Sequence, residues 1–172
     1  MVLGPENGRL MVRTFREGVA AMVGHDLEIE ITRWRGKVDV EPRAVQINAD
    51  PRSLSVLRGT GGAKPLSEKD RADIKANLEK VLMVQRFPEI LFRSTDVSGG
   101  DHLQVAGELA MAGNNRSLRF LLEMVSTGSM RRVSGVVAVK QTDWGLKPYS
   151  AMLGALKVRD MVEVVFELEA PV

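Results

Sequence analysis

The 172-residue sequence predicts a mainly β protein with one α-helix in the middle of the chain. Apolar and polar residues alternate in about eight or nine short segments, as half-buried strands require. Turn residues separate these segments at spacings of roughly 8–12 residues, which is typical of a sandwich or a barrel. Because each strand has one apolar face and the turns are short, an antiparallel sheet that closes on itself is favoured.

The last third of the chain shows the alternation most clearly. Between 162 and 168 the even-numbered residues are apolar, and glutamate holds most of the odd positions up to 169. An earlier strand at 133–140 alternates valine with polar residues. The compact insert between these strands contains Gly145, Pro148 and Gly154, which favour turns.

The first third predicts a series of short antiparallel strands. Alternation is present at 10–15, 27–32, 34–40 and 45–49, and a short second strand is expected at Val19–Val23. The later strands are expected at 90–93, 103–111 and 118–124. The sequence Gly113-Asn114-Asn115 indicates a hairpin turn, because such a turn requires left-handed backbone conformations.

One segment has helical rather than strand periodicity. A loop is predicted at 58–62, which is rich in glycine, and Ser67 and Asp70 have the spacing of a capping box. Pro88 follows the predicted end of the helix. The apolar stripe consists of Ile74, Leu78, Val81, Leu82 and Val84.

Composition narrows the classes of function. Apolar content of 44% and charged content of 27% predict a folded chain, and residues 1–172 are expected to form a single domain. The absence of cysteine excludes disulfides, thiolate metal sites and cysteine nucleophiles. A net charge of +2 gives no reason by itself to expect nucleic acid or anionic lipid as a partner.

The sequence contains no secretory signal, and no apolar run approaches the roughly 18 residues of a membrane span. We therefore expect a cytoplasmic protein without a membrane span.

Three regions, spread over most of the chain, resemble the YceI-like family of polyisoprenoid- or lipid-binding proteins. They are Gly24–Leu27 with Gly36–Val38, then Val81–Leu82 with Arg86–Ser94, and finally Gly107–Ser117 with Gln141–Leu146 and Lys157–Asp160. The resemblance implies a lipocalin-like antiparallel β-barrel of eight strands whose interior holds a long apolar chain. The expected function is therefore binding and sequestration of a long-chain lipid, such as an isoprenoid or fatty-acid derivative.

The residues alone do not decide whether the interior of the barrel is filled or hollow. A barrel of about eight strands can be filled by its own side chains or can hold one small ligand. A filled barrel would instead serve as a protein- or nucleic-acid-interaction module. The sequence does not decide whether the protein forms a homodimer. The candidate ligand-binding residues are His25, Leu27, Ile29, Phe92, Leu109, Phe120, Leu122, Met124, Val137, Tyr149, Met152, Val164 and Phe166.

His25 and Asp26 are the neighbouring residues whose side chains are best suited to a chemical or binding role. Such a pair can act as a general base, bind a metal or anchor a ligand head group, but it is equally a polar turn. With two histidines far apart and no cysteine, no metal site is predicted, and no cofactor or catalytic residue is assigned. An enzyme that uses His25 and Asp26 is the less favoured alternative.

Two further segments have alternative interpretations. Trp34 lies among Arg33, Arg35 and Lys37, as in a stacking surface for single-stranded nucleic acid. Charges that protect an edge strand explain these residues equally well, and nucleic acid is not the expected partner. In the C-terminal insert, Trp144 is expected to plug the end of the barrel.

Overall fold

The computed structural model describes residues 1–171, so the predicted domain boundary at Val172 lies outside it. Fourteen strands and one α-helix are present in this range. The strands are Val2–Leu3 (β1), Gly8–Thr14 (β2), Arg16–Glu17 (β3), Asp26–Ile31 (β4), Trp34–Val40 (β5), Arg43–Ala49 (β6), Leu54–Thr60 (β7), Ile90–Gly99 (β8), His102–Met111 (β9), Asn114–Thr127 (β10), Met130–Lys140 (β11), Ser150–Ala151 (β12), Leu156–Val158 (β13) and Met161–Pro171 (β14). The helix is Glu68–Val81 (α1), and short 3-10 turns lie at Ala21–Val23, Pro51–Ser53, Gln141–Trp144 and Met152–Gly154.

Eleven of these strands form one strongly curled antiparallel sheet. Its order is β1-β5-β6-β8-β9-β10-β11-β14-β2-β4-β7, and β12, β13 and β3 form a small second sheet. The mainly β architecture with one helix is confirmed, but the predicted count of eight strands is not. The structure contains β7 and the short strands β1, β3, β12 and β13 in addition to the predicted ones. Two long segments bend and are each divided into two strands, β4 with β5 and β6 with β7.

The bent segments pair with each other as one ribbon. Its first half, β4 and β7, lies beside β2, whereas its second half, β5 and β6, lies beside β8. At the bend, the carboxylate of Asp50 accepts a hydrogen bond from the N–H of Arg52, and the hydroxyl of Ser53 accepts one from the N–H of Arg33. The ribbon therefore links both ends of the curled sheet, so that the inward faces of the strands surround an interior.

The predicted hairpin after β9 is confirmed. Ala112 and Gly113 form its two-residue loop, with φ of +49° and +79°. Positive φ at both loop positions matches the right-handed twist of the flanking strands.

Helix α1 begins with the predicted capping box. The hydroxyl of Ser67 accepts the N–H of Asp70, and the carboxylate of Asp70 accepts both the N–H and the hydroxyl of Ser67. These bonds hold the pKa of Asp70 below its usual value, with the largest effect from the backbone N–H. Farther along the helix, Arg71 and Lys75 donate to backbone carbonyls of β7 and of the residues before it. Their side chains thus satisfy the outer edge of a terminal strand and fix the helix over one end of the interior.

Two local predictions are wrong. Residues 19–23 do not form a strand, because the backbone makes a 3-10 turn at Ala21–Val23. The predicted loop at 58–62 begins later than expected, because β7 continues to Thr60 and Gly59 pairs with Leu27. A β-carbon at Gly59 would lie 2.5 Å from a methyl group of Leu66, so glycine permits the loop to pack against this strand.

Candidate ligand-binding cavity

The curled sheet surrounds an elongated cavity of about 360 Å³. Its lining is almost entirely apolar, because the inward positions of neighbouring strands are occupied by aliphatic and aromatic side chains. The interior is therefore not filled by the side chains of the protein. Nine of the predicted ligand-binding residues line this cavity: Ile29, Phe92, Leu109, Phe120, Leu122, Met124, Val137, Val164 and Phe166.

Three phenylalanines of the cavity lining form a row in which Phe120 contacts both Phe92 and Phe166. The ring centroids of Phe92 and Phe120 are 5.4 Å apart, and those of Phe120 and Phe166 are 6.0 Å apart. The second pair meets at an interplanar angle of 81°. Such edge-to-face contacts hold the rings in place and make one stretch of the wall rigid.

One end of the cavity is covered by the helix and by the insert between β11 and β14. Trp144 is almost completely buried there and donates its indole N–H to the carbonyl oxygen of Leu109 at 2.8 Å. The side chains of Val81, Leu82 and Leu146 pack in the same apolar cluster. The position of Trp144 agrees with its predicted role as an end plug.

Two polar atoms interrupt the apolar lining. Within residues 1–171, the hydroxyl of Thr14 and Nε of Arg131 are the only buried side-chain nitrogen or oxygen atoms without a hydrogen-bond partner. Both residues line the cavity, and Thr14 is only 6% exposed. A third polar side chain, Gln141, is satisfied because its amide donates to the carbonyl oxygen of Arg159.

Thr14 and Arg131 lie at different levels of the cavity. Arg13, which precedes Thr14, pairs with Glu163 of β14, whereas Arg131 pairs with Ala170 of the same strand. Thr14 lies one step beyond Arg13, so eight residue steps along β14 separate it from Arg131, or about 26 Å at the usual rise of a strand. The unpartnered hydroxyl therefore marks the helix end, and the guanidinium marks the opposite end.

A second cavity of about 490 Å³, which we call the chamber, adjoins the helix end. His25, Leu27 and Tyr149 line it, so three more of the predicted site residues come together here. Polar atoms make up a larger part of the lining of the chamber than of the first cavity. Four residues line both spaces and mark their junction: Thr14, Leu78, Val81 and Gln141.

Comparison with known proteins identifies the family. A family model described as the YceI-like domain matches residues 9–170. The chain belongs to the YceI-like family.

Solved structures share this fold at low sequence identity. BcnA from Burkholderia cenocepacia is similar with a TM-score of 0.66 and 16% identity, over 94% of this chain and 96% of that one. A YCEI protein from Campylobacter jejuni is similar with a TM-score of 0.64 and 11% identity, over 84% of each chain. No curated protein matches the sequence.

In this YceI-like protein, His25 and Asp26 do not act as a pair. Nε2 of His25 lies 2.7 Å from the carbonyl oxygen of Lys64, whereas the carboxylate of Asp26 accepts the N–H of Arg16 at 2.9 Å. The two side chains thus bind separate parts of the backbone. This arrangement matches the polar-turn interpretation and gives no support to a catalytic dyad.

Two other residues discussed in the sequence analysis can now be located. Met152 lines neither cavity and projects into solvent, and Trp34 is buried against the interior, where it cannot stack on a base. No helix within residues 1–171 is long and apolar enough to cross a membrane. The same residues contain no cluster of three histidine, aspartate or glutamate side chains that could hold a metal ion.

The charged groups at the bend of the ribbon are paired with each other. The carboxylate of Asp50 accepts hydrogen bonds from the guanidinium groups of Arg52 and Arg33 at 3.0–3.2 Å. Arg52 has the largest effect, and together these bonds hold the pKa of Asp50 well below its usual value despite partial burial. Arg33 therefore has a structural partner.

Sequence reasoning missed Thr14 and Arg131 as site residues. Thr14 lies on the same inward-facing side of its strand as Leu10 and Val12, and Arg131 lies on the same side as Val133. The available signal in each case was a polar residue, near one end of a strand, at a position where the alternation predicts an apolar one.

Proposed function

We propose that this YceI-like protein sequesters a long-chain amphiphile, such as an isoprenoid or fatty-acid derivative. The apolar chain would occupy the cavity, and the polar end would lie at or beyond Thr14, in the chamber. The observation that carries this proposal is an apolar cavity of about 360 Å³ that joins a more polar chamber. Known ligand pockets span roughly 300–1,000 Å³ and share this combination of apolar walls and few polar groups.

The unpartnered hydroxyl of Thr14 supports the proposed orientation. A buried polar group without a hydrogen bond costs about 1–3 kcal/mol, which would favour replacing it unless a ligand supplied the partner. Thr14 lies where the two cavities join. A hydroxyl, ester or phosphate oxygen at the head of an amphiphile would satisfy it there.

The chain itself would supply most of the affinity. Each buried methylene contributes about 0.8 kcal/mol, so a five-carbon isoprene unit contributes about 4 kcal/mol as an upper figure. Affinity saturates near 18–21 kcal/mol, roughly the sum for five such units. The length of the cavity, rather than the number of contacts, should therefore determine which chain lengths bind.

Arg131 would set that length. Its guanidinium carries hydrogen-bond donors and no acceptor, and an apolar chain that reached it would displace water without offering a hydrogen bond. A chain that ends before Arg131 avoids this cost. The distance of about 26 Å between the levels of Thr14 and Arg131 is thus the proposed limit for the buried chain.

His25 and Tyr149 are proposed to contact the polar end of the ligand in the chamber. His25 would do so with its remaining ring nitrogen, because Nε2 already faces the carbonyl oxygen of Lys64. The proposal assigns no bond-making step to either residue. The protein is proposed to bind and protect its ligand without changing it.

The direct test is to purify the protein without detergent and to analyse its organic extract by mass spectrometry. Val137→Trp is the blocking variant, because Val137 is buried and lines the cavity. Val136→Trp is the matched control, because its side chain is on the outer face of the same strand and is about half exposed. We expect lipid from the wild type and from the control, and none from the blocking variant.

Overpacking at Val137 is expected to lower the free energy of unfolding by about 1–3 kcal/mol, which most folded domains tolerate. Circular dichroism would check that each variant is folded. An extract without lipid from the wild type, together with no binding of added fatty acids or isoprenoid alcohols, would contradict the proposal. Equal lipid content in both tryptophan variants would place the ligand outside the cavity.

A further inference from the structure

A protruding apolar surface lies beside the chamber. It is formed by residues 19–23 and 149–155, which we call the tip. The two segments are joined by a hydrogen bond of 2.8 Å from the N–H of Ala20 to the carbonyl oxygen of Ala155. Its most exposed side chains are Val19 at 93%, Met22 at 77%, Met152 at 62% and Leu153 at 109%. An apolar group of this size on a surface marks an interaction site.

The backbone holds these side chains outward. Met152 and Leu153 have φ of +52° and +54°, in the left-handed region that residues with a β-carbon rarely adopt. Gly154 follows with φ of +89°. A turn in this conformation prevents Met152 and Leu153 from folding back onto the sheet, and Leu153 consequently projects freely into solvent. Backbone conformations of this kind occur in tight turns and cluster at functional sites.

Basic residues outnumber acidic ones beside the tip. Residues 143–160 include Lys147, Lys157 and Arg159, with Asp143 and Asp160 at the two ends of the range. Arg16 pairs with Asp26 and Lys157 pairs with Glu17, so Lys147 and Arg159 carry the positive charges that these ion pairs leave over. An apolar protrusion with a basic rim is complementary to a lipid surface that carries negative charge.

The tip also forms part of the chamber wall. Val23 and Tyr149 belong to the tip and line the chamber, and Leu156 follows directly in the chain and lines it too. The protrusion and the polar end of the cavity system are thus built from the same segments.

We propose that the tip docks on a bilayer containing anionic lipids and holds the chamber against the membrane surface. Its role in transferring a ligand rests on the proposed function, but docking itself is carried by exposure, backbone conformation and charge. A bilayer accepts a protruding leucine or methionine anywhere on its surface. A protein partner would instead need a pocket shaped for these side chains.

Docking is tested by co-sedimentation with vesicles of phosphatidylcholine mixed with phosphatidylglycerol, and with vesicles of phosphatidylcholine alone. The variant Met152→Ser/Leu153→Ser removes two apolar anchors from the tip. Leu121→Ser is the control, because Leu121 is 66% exposed but lies on β10, away from the tip. Lys147→Gln tests the basic rim separately.

We expect the wild type and Leu121→Ser to bind the mixed vesicles, and binding to weaken as salt is raised. The double variant should bind about 10–100-fold more weakly, since each buried side chain of this size is worth roughly one decade. Lys147→Gln should bind about fivefold more weakly. Binding of the wild type to neither vesicle, or equal losses in the double variant and in Leu121→Ser, would overturn the inference.

Light scattering covers the remaining alternative. If the wild type dimerises, does not bind vesicles, and becomes monomeric in the double variant, the tip is an interface between two copies and the inference is wrong. Lipid extracted from the purified proteins separates this inference from the proposed function. If the protein carries lipid but does not bind vesicles, docking is contradicted and sequestration is not. If it binds vesicles but neither carries lipid nor binds added lipid, sequestration is contradicted and docking is not.

Discussion

Replacing Thr14 by valine should stabilise the empty protein and weaken its ligand binding. Valine has nearly the same shape as threonine but lacks the hydroxyl, which is buried and without a partner at the junction of the two cavities. Removing such a group recovers up to the 1–3 kcal/mol that its desolvation costs. In a domain of this size, each kcal/mol raises Tm by about 2–4 °C.

Ligand binding should change in the opposite direction. The substitution removes one hydrogen bond between Thr14 and the ligand, worth about 0.5–1.5 kcal/mol, so Kd should rise about two- to tenfold. Urea unfolding of the delipidated protein measures the first effect, and titration with a fluorescent fatty acid measures the second. Higher stability of the empty protein together with weaker ligand binding is the diagnostic result, because a purely structural residue would change stability and leave Kd unaffected.

Thr32→Val is the matched control. The hydroxyl of Thr32 donates to the carbonyl oxygen of Ser53 at 3.1 Å, so its loss should destabilise the protein by about 0.5–1.5 kcal/mol without affecting Kd. If Thr14→Val also destabilises the empty protein, its hydroxyl has a partner inside the protein and the reasoning fails. An unchanged Kd would show that the ligand does not contact Thr14.

Three further predictions concern the far end of the cavity, the bend and the plug. Arg131→Leu should shift the preferred fatty acid to a longer chain in competition binding across a series of chain lengths, because it removes the charge that limits the cavity; an unchanged optimum would refute the proposed limit. Asp50→Asn should reduce stability at neutral pH by about 1–3 kcal/mol. The pKa of Asp50 is lowered mainly by Arg52, so its stabilisation is complete above the unfolded value of about 3.9 and is lost as pH falls toward the lower folded value. Urea midpoints between about pH 5 and pH 2 should therefore fall less steeply in Asp50→Asn than in the wild type, and parallel curves would contradict this assignment. Trp144→Phe should lower the free energy of unfolding by about 1–3 kcal/mol, because the carbonyl oxygen of Leu109 loses its buried donor. A change below the error of chemical denaturation would show that this hydrogen bond does not stabilise the plug.

The strand count shows where sequence reasoning reached its limit in the fold. The alternation separates 27–32 from 34–40, but nothing in the identities of Thr32 and Arg33 shows that the chain bends there, and no strand is predicted at Leu54–Thr60 (β7). The bend depends on hydrogen bonds to Asp50 and Ser53 in a different part of the chain. Local patterns cannot specify such distant partners.

The candidate site divides in the same way. Alternation placed Phe120, Leu122 and Val137 on the inward face, because successive strand residues point to opposite sides of a sheet. It could not locate Met152, which lies in an insert without periodicity and is found outside both cavities. Alternation also could not predict how far apart Thr14 and Arg131 lie along the cavity, because that distance depends on how two different strands pair with β14.

The sequence by itself determined which residues point inward, where the single helix begins, and that the chain is built from antiparallel strands. These properties follow from interactions between residues close together in the chain, namely alternation, capping and turn conformation. Only the tertiary structure decided that the inward faces stand far enough apart to leave a cavity, and that a chamber and an exposed tip meet at its helix end. The width of a lumen depends on how strongly the sheet curls and on which distant segments pair, and no local pattern contains that information.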